Sequence, residues 1–334
     1  MIDRMTRRAL AGALLASTLL TGTVFAEAHQ VQLRLATAGS ETDQRSVAMA
    51  EVFAPMVEDF ASYEPSYNGT IFAQGTELDA ISRGNLEMSI TSAQELAQFF
   101  PEFSIFTAGY VLQDAEHQVA VFDDEVMDPF KQKAIDELGV RLLAPMYLGR
   151  RHVNLRQCRD ELDVRTPADL EGVNLRMPGT DSWQFLGRAL GASPTPMAFA
   201  EVYTALSTGA VDGQDNPLPT VVDSKFYEVT CQIALTSHLV DWNFIALGEE
   251  VYQSLTPEQQ EQITAAAEAA AQSGREKQLQ LEEELGAFIE ENGVEIYEPD
   301  VAAFREAVQA AYQESELSSD WPEGVLDRVN ELGN

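Results

Sequence analysis

Asp212, Gln214, Asp215 and Asn216 crowd into a few positions of the stretch EVYTALSTGAVDGQDNPLP, residues 201–219. Side chains of these types at this spacing could hold calcium, work as a hydrolytic carboxylate pair, or touch a ligand through uncharged polar groups. A calcium loop starting at Asp212 requires glycine at its sixth position. Pro217 stands there and Gln214 replaces a carboxylate, so the calcium reading fails. A hydrolytic pair at Asp212 and Asp215 lacks a companion nucleophile and base. The nearest approach to a G-x-S-x-G elbow, Ala205-Leu206-Ser207-Thr208-Gly209, is missing its first glycine. No phosphate-binding P-loop and no G-x-G-x-x-G occurs. His29, His117, His152 and His238 are scattered without metal-ligand spacing.

The cations are more informative. Six of the 21 basic residues fall between 150 and 176, namely Arg150, Arg151, Arg156, Arg159, Arg165 and Arg176, and every one is arginine. A guanidinium presents a planar fork that grips a carboxylate or sulfonate through two bonds. Arg159 and Arg165 flank Asp160, Glu161 and Asp163 and read as surface ion pairs. The cluster stands out against a chain of 334 residues with 54 acidic side chains and a net charge of −33. Such a charge excludes nucleic acid as a partner, which needs basic surface. It equally disfavours an anionic membrane, and fits solubility in a salty medium that screens self-repulsion.

The elements that must position these groups begin with an export signal. Arg4, Arg7 and Arg8 precede an apolar run from Ala9 to Leu20, and Val24-Phe25-Ala26 offers small residues to a signal peptidase. Cleavage is expected near Ala26 or Ala28, by the general secretory route or, given Arg7-Arg8, the twin-arginine route. Residues 1–26 contain three arginines and one aspartate, so their removal leaves 18 basic and 53 acidic residues, a net of −35. No cysteine follows the apolar run, so no lipid anchor is expected. Cys158 and Cys231, 73 residues apart, then reach an oxidising compartment, where an even count suggests a disulfide; two buried thiols are the alternative.

Beyond the signal, short extended segments alternate with helix-like ones. VQLRLATA (31–38), SYNGTIFA (66–73), LEMSITS (86–92), GVRLLAPMYLG (139–149), RHVNLR (151–156), VNLRM, ASPTPM, AVDGQ and QIALTS read as strands. The alternation predicts a mainly parallel sheet covered by helices, and the number of units predicts two α/β lobes. One helix is expected to be very long. Thr256 caps it, Pro257 takes the first position and Gln259 the capping-box place, and alanine and charged residues follow to about 292. A run of about 34 residues would extend roughly 50 Å and cross both lobes, unless it breaks near Ser273-Gly274.

Residues 172–238, GVNLRMPGTDSWQFLGRALGASPTPMAFAEVYTALSTGAVDGQDNPLPTVVDSKFYEVTCQIALTSH, resemble the core of the DctP-type solute receptors of TRAP transporters. The resemblance rests on the L-R-x-P strand at 175–178, ALGASPTPMAFAEVYTALSTG, VDGQDNP, and FYEV followed by LTSH, with GRRHVN (149–154) and LTPEQQ (255–260) in support. It covers nearly all of the mature chain, more loosely in the first half. It implies a two-lobed periplasmic-binding-protein fold with a long helix spanning both lobes. The expected division is 27–150 plus about 241–275 in the first lobe, and 151–240 plus about 276–334 in the second. It implies a monomeric periplasmic receptor without cofactor that hands a small organic anion to a membrane permease. An exported α/β hydrolase and a ligand-sensing component are the competing readings.

The resemblance also implies roles for particular residues. Arg176 would form the salt bridge to the ligand carboxylate, and Arg151 would be a second anion contact. Asn216 would be a polar contact, stiffened by Pro217 and Pro219, and Phe199 an aromatic on the ligand. Thr180, Asp215, Trp183 and Trp242 complete the expected ligand-binding set. The chain departs from the pattern at LRQCRDELDV, about five residues longer than in many relatives. Cys158 lies in that insertion, and a bridge to Cys231 would clamp it to the second lobe. The insertion leaves open whether Arg151 or Arg156 meets the anion, and whether a metal bridges Asp215 to the ligand stays open too.

Overall fold

A computed structural model describes residues 30–333. The expected export signal and its cleavage near Ala26 lie outside them. Nine strands are present among the described residues: β1 Val31–Ala36, β2 Ala61–Ser66, β3 Met88–Ser92, β4 Val140–Leu155, β5 Asn174–Met177, β6 Ser193–Pro196, β7 Gly213–Asn216, β8 Gln232–Gly248 and β9 Glu295–Tyr297. They form a sheet in the order β2-β1-β3-β8-β4-β7-β5-β6, with β9 also on β8. The two wings are parallel, as expected. The middle is not. β4 and β8, of 16 and 17 residues, run antiparallel to one another through both halves of the molecule.

The segments GVRLLAPMYLG and RHVNLR are therefore one strand. Near its centre the register with β8 shifts between Tyr147 and Gly149. Gly149 has φ +130°, and a Cβ there would meet Glu282 Oε1 at 2.6 Å and Pro217 Cβ at 2.7 Å. Only glycine fits a backbone in that region at such close approach. The strand expected at 66–73 lies earlier, at 61–66, because Asn68 and Gly69 adopt positive φ and turn the chain.

The first half of the β4–β8 ribbon borders β3, and the second half borders β7 and β9. Each half carries its own cores. One holds Leu33, Leu35, Met49, Phe53 and the alanines 266, 267, 270 and 271 of the long helix. Another centres on Phe103, Phe106, Phe122, Phe130 and Trp242. The second half packs Leu155, Leu175, Met177, Trp183 and Phe304, and a smaller group around Val202, Leu206, Phe226 and Ile289. The C-terminal helix Val325–Leu332 returns to the Phe103 core.

The long helix is continuous over Pro257–Glu291, 35 residues, with the expected capping box of Thr256 and Gln259. It does not break at Gly274, which is buried against Ala48 and Met146, each 3.3 Å from where a Cβ would stand. Glu282 ties it to the ribbon, accepting from Tyr147 Oη at 2.8 Å and from Arg150 N at 2.6 Å. Cys158 and Cys231 are bridged, with Cα atoms 4.9 Å apart. Among the described residues no helix is long and apolar enough to cross a membrane.

Candidate functional site

A small cavity opens between the two halves, and Arg45, Arg151 and Arg176 all reach it. β5 supplies Arg176 from a buried backbone whose neighbours are β7 and β6. The residue is 1% exposed. It donates to Met197 O from Nε at 3.0 Å and Nη2 at 2.8 Å, and to Gln74 Oε1 at 3.2 Å. Among the described residues no carboxylate pairs with it. Burial pushes its pKa down to about 9, which the nearby Arg151 charge reinforces and Asp215 opposes. It stays charged at neutral pH.

Arg151 is placed by β4 and is fully committed. Its Nε donates to Asp215 Oδ2 at 2.7 Å, and its Nη1 to Asp241 Oδ2 at 2.7 Å. Its guanidinium also lies 4.4 Å from the Trp183 ring centre. Burial raises the Asp215 carboxyl, but the Arg151 charge and the His238 hydrogen bond outweigh it and hold Asp215 well below the usual carboxylate range. His238 Nε2 lies 3.1 Å from Asp215 Oδ2, and its Nδ1 meets Thr236 Oγ1 at 2.8 Å. Arg156 packs over Gly209 and does not line the cavity.

Alternation along β7 explains the VDGQDNP stretch. Asp215 points to Arg151, whereas its neighbour Asn216 lines the cavity. Asn216 Nδ2 donates to Gln214 Oε1 at 2.5 Å, and Gln214 in turn donates to Asn154 Oδ1 at 2.9 Å. That chain fixes the amide's orientation and leaves its Oδ1 without a donor among the described residues. Asp212 accepts from Asn174 N at 2.9 Å and takes no part in a dyad with Asp215. Among the described residues no group of three or more His, Cys, Asp or Glu could hold a metal ion.

Phe199 and Trp183 line the cavity, and the Arg176 guanidinium lies 5.7 Å from the Phe199 ring centre. Thr180 does not reach it. Its hydroxyl caps the helix Asp181–Ala189 by accepting from Trp183 N at 3.4 Å, which sets the Trp183 ring beside Arg151. Trp242 corrects the expectation. It is buried edge-on against Phe106 at 5.3 Å and beside Phe244 at 4.8 Å, in the core behind the cavity. Side chains alternate along β8, so Asp241 and Asn243 line the cavity while Trp242 between them points away.

Several contributors carry no motif. Arg45 is locked by Asp43, Nη2 to Oδ2 at 2.7 Å, and its Nη1 donates to Asn243. Gln74 joins the halves, its Oε1 accepting from Arg176 and, at 3.1 Å, from Phe199 N. Outside the cavity Ser40 Oγ donates to Asp223 Oδ2 at 2.7 Å and Thr42 donates to the same carboxylate. Glu77, Glu95 and Asp241 also face the cavity. These positions lie in the loosely patterned first half and in β8, where no short spacing marks them.

Comparison with known proteins adds an independent line. Residues 37–318 match the family described as bacterial extracellular solute-binding protein, family 7. The sialic acid-binding periplasmic protein SiaP of Vibrio cholerae is 29% identical over 245 residues, 73% of this chain and 75% of that protein. A TRAP periplasmic solute binding protein of Roseobacter denitrificans, solved with bound 3-deoxy-D-manno-oct-2-ulosonic acid, is 68% identical. The match covers 91% of this chain and 100% of that one, with a TM-score of 0.91. A second Roseobacter denitrificans receptor, solved with L-galactonate, is 27% identical over 91% of this chain and 99% of that one, with a TM-score of 0.81.

Proposed function

Because the chain belongs to the bacterial extracellular solute-binding proteins of family 7, we propose that it is the periplasmic receptor of a TRAP transporter, capturing one organic anion between its lobes for delivery to the membrane permease. One observation carries the site assignment: Arg176 is buried, charged and, alone among the cavity's three arginines, without a carboxylate partner. An unpaired buried cation is costly, and an incoming anion relieves that cost. We read Arg176 as the grip on the ligand carboxylate, Asn216 as a contact through its free oxygen, and Phe199 and Trp183 as apolar walls. Arg151 shapes the site while Asp215 and Asp241 hold it. No metal enters this reading, and the receptor works as a monomer that carries its ligand unchanged.

The ligand class we infer is a sugar acid with one carboxylate. The support is the ulosonic acid held by the Roseobacter receptor of 68% identity. We read the lobes as 27–150 plus about 241–275 and 151–240 plus about 276–334, with the helix Val325–Leu332, which packs on the Phe103 core, assigned to the first.

Calorimetry with 3-deoxy-D-manno-oct-2-ulosonic acid tests the assignment. Arg176→Ala is expected to lose at least about 100-fold in affinity, as when one partner of a buried charged pair is removed. The same variant should melt no lower than the parent without ligand, since it deletes an unpaired buried charge. Unchanged affinity would refute the role.

A further inference from the structure

Side chains of the two halves meet at Gln74 and again at Asp223. Gln74 makes its link inside the cavity, accepting from Arg176 and from Phe199 N. Asp223 makes its link outside. It ends the helix Leu218–Asp223, which follows β7 and packs on the long helix. Its Oδ2 accepts from Ser40 Oγ at 2.7 Å, and its Oδ1 accepts from Thr42 Oγ1. Ser40 and Thr42 lie in the loop after β1, a strand of the other half paired with β2 and β3. None of the three residues lines the cavity.

The loop presents its hydroxyls to that carboxylate. Ser40 Oγ accepts from Thr42 N and Asp43 N, each at 3.1 Å, so its own proton is left for Asp223. The loop is tied to the cavity wall through Asp43, which accepts from Arg45 Nη2 at 2.7 Å and Nε at 2.9 Å, and Arg45 reaches the cavity. On the opposite side, the helix of Asp223 starts just after Asn216 and Pro217, and its Thr220 lines the cavity. Among the described residues no other group donates to the Asp223 carboxylate and no cation pairs with it. Its two hydrogen bonds, strengthened by the acceptor's charge, exist only while the halves are together.

We propose that Asp223, with Ser40 and Thr42, is a latch that holds the lobes shut over the bound anion and sets how long it stays. The inference rests on the reading that an anion binds between the lobes. A ligand that takes the Arg176 donor displaces the Gln74 link. The Asp223 link lies apart from the cavity and persists when the site is filled, so it favours the closed, occupied state. Arg176 and Asn216 are buried, so an anion enters only while the lobes are apart and the latch is unmade. The latch therefore acts on release and not on association. Thr42 is exposed and water replaces the hydroxyls on opening, so the expected effect is about 10-fold.

Stopped-flow measurement of 3-deoxy-D-manno-oct-2-ulosonic acid binding and release tests this. Asp223→Ala should speed release about 10-fold and change the association rate constant by less than about 2-fold. Asp223→Asn, which keeps one acceptor oxygen, should fall between it and the parent. Ser40→Ala with Thr42→Val should speed release to a similar extent, and combining them with Asp223→Ala should add little, because both changes remove the same link. Ligand-free thermal melts close to the parent's check that each variant folds. Release unchanged in Asp223→Ala would overturn the latch, as would effects that simply multiply in the combined variant. If Arg176→Ala abolishes binding while Asp223→Ala leaves release unchanged, only the latch falls. If the parent binds no ulosonic acid, the ligand reading falls and the latch is judged without ligand. A Thr42→Cys, Asp223→Cys pair should then cross-link under mild oxidation, and persistence of both thiols would overturn the contact.

Discussion

Arg151 and Arg176 face one cavity and differ in what they are committed to. Arg151 satisfies Asp215 and Asp241 while stacking on Trp183. Removing it strands two buried carboxylates, so Arg151→Ala should cost about 3–5 kcal/mol of stability, measured by urea unfolding. Arg151→Lys should recover little, because a point charge cannot reproduce the fork between two acids. Glu77 gives a pH signature. Its folded pKa of about 8 lies above its ordinary 4.5. Its contribution to stability is complete below about 4.5 and is lost as pH rises toward about 8. The ligand-free protein should therefore unfold at lower urea at pH 8 than at pH 5.5, and Glu77→Gln should flatten that slope. Asp215 acts in the opposite sense, with stability lost only in strong acid, below the carboxylate range.

At the scale of elements, the crossing of β4 and the long helix is the mechanical centre. Gly149, Glu282 and Pro217 meet there, and Asn216 lies one residue from Pro217. Gly149→Ala should destabilise by about 3 kcal/mol or more, since a Cβ would both strain φ and displace packed atoms. Thermal melts check this, with Gly274→Ala as a milder comparison whose nearest neighbours stand at 3.3 Å. The long helix was legible from Thr256-Pro257 and its alanine content because capping and propensity are local. The single β4 strand was not. Its bend at Gly149 reads as a break in sequence, and only pairing with β8 carries the strand through. Arg176 and Asn216 were legible because they lie in a compact, patterned segment on adjoining strands. Gln74, Glu77 and Glu95 were not, since tertiary packing alone brings distant turns of the first half to the cleft.

The whole molecule carries its net charge of −33 beside a cavity that three arginines reach. Screening of that self-repulsion should raise the melting temperature between low and physiological ionic strength, as the Debye length falls from about 30 to about 8 Å. A scan of melting temperature against sodium chloride checks this, and a flat response would mean that the acids are already offset by local partners. The arginine cluster of 150–176 divides accordingly. Arg159 pairs with Asp163 and Glu295, and Arg165 with Asp163, at the surface, whereas Arg151 and Arg176 turn inward.

The bond from Arg176 to Gln74 has a bearing on how tightly any anion can be held. Gln74 belongs to one lobe and Arg176 to the other, so the amide oxygen occupies the guanidinium and links the lobes at the same time. A ligand carboxylate taking that donor performs an exchange and not an addition. The measured affinity is then a difference between two occupants, one of them permanently tethered. If Arg176 is the anchor, the Gln74 oxygen beside it is placed to take the guanidinium back when the anion leaves.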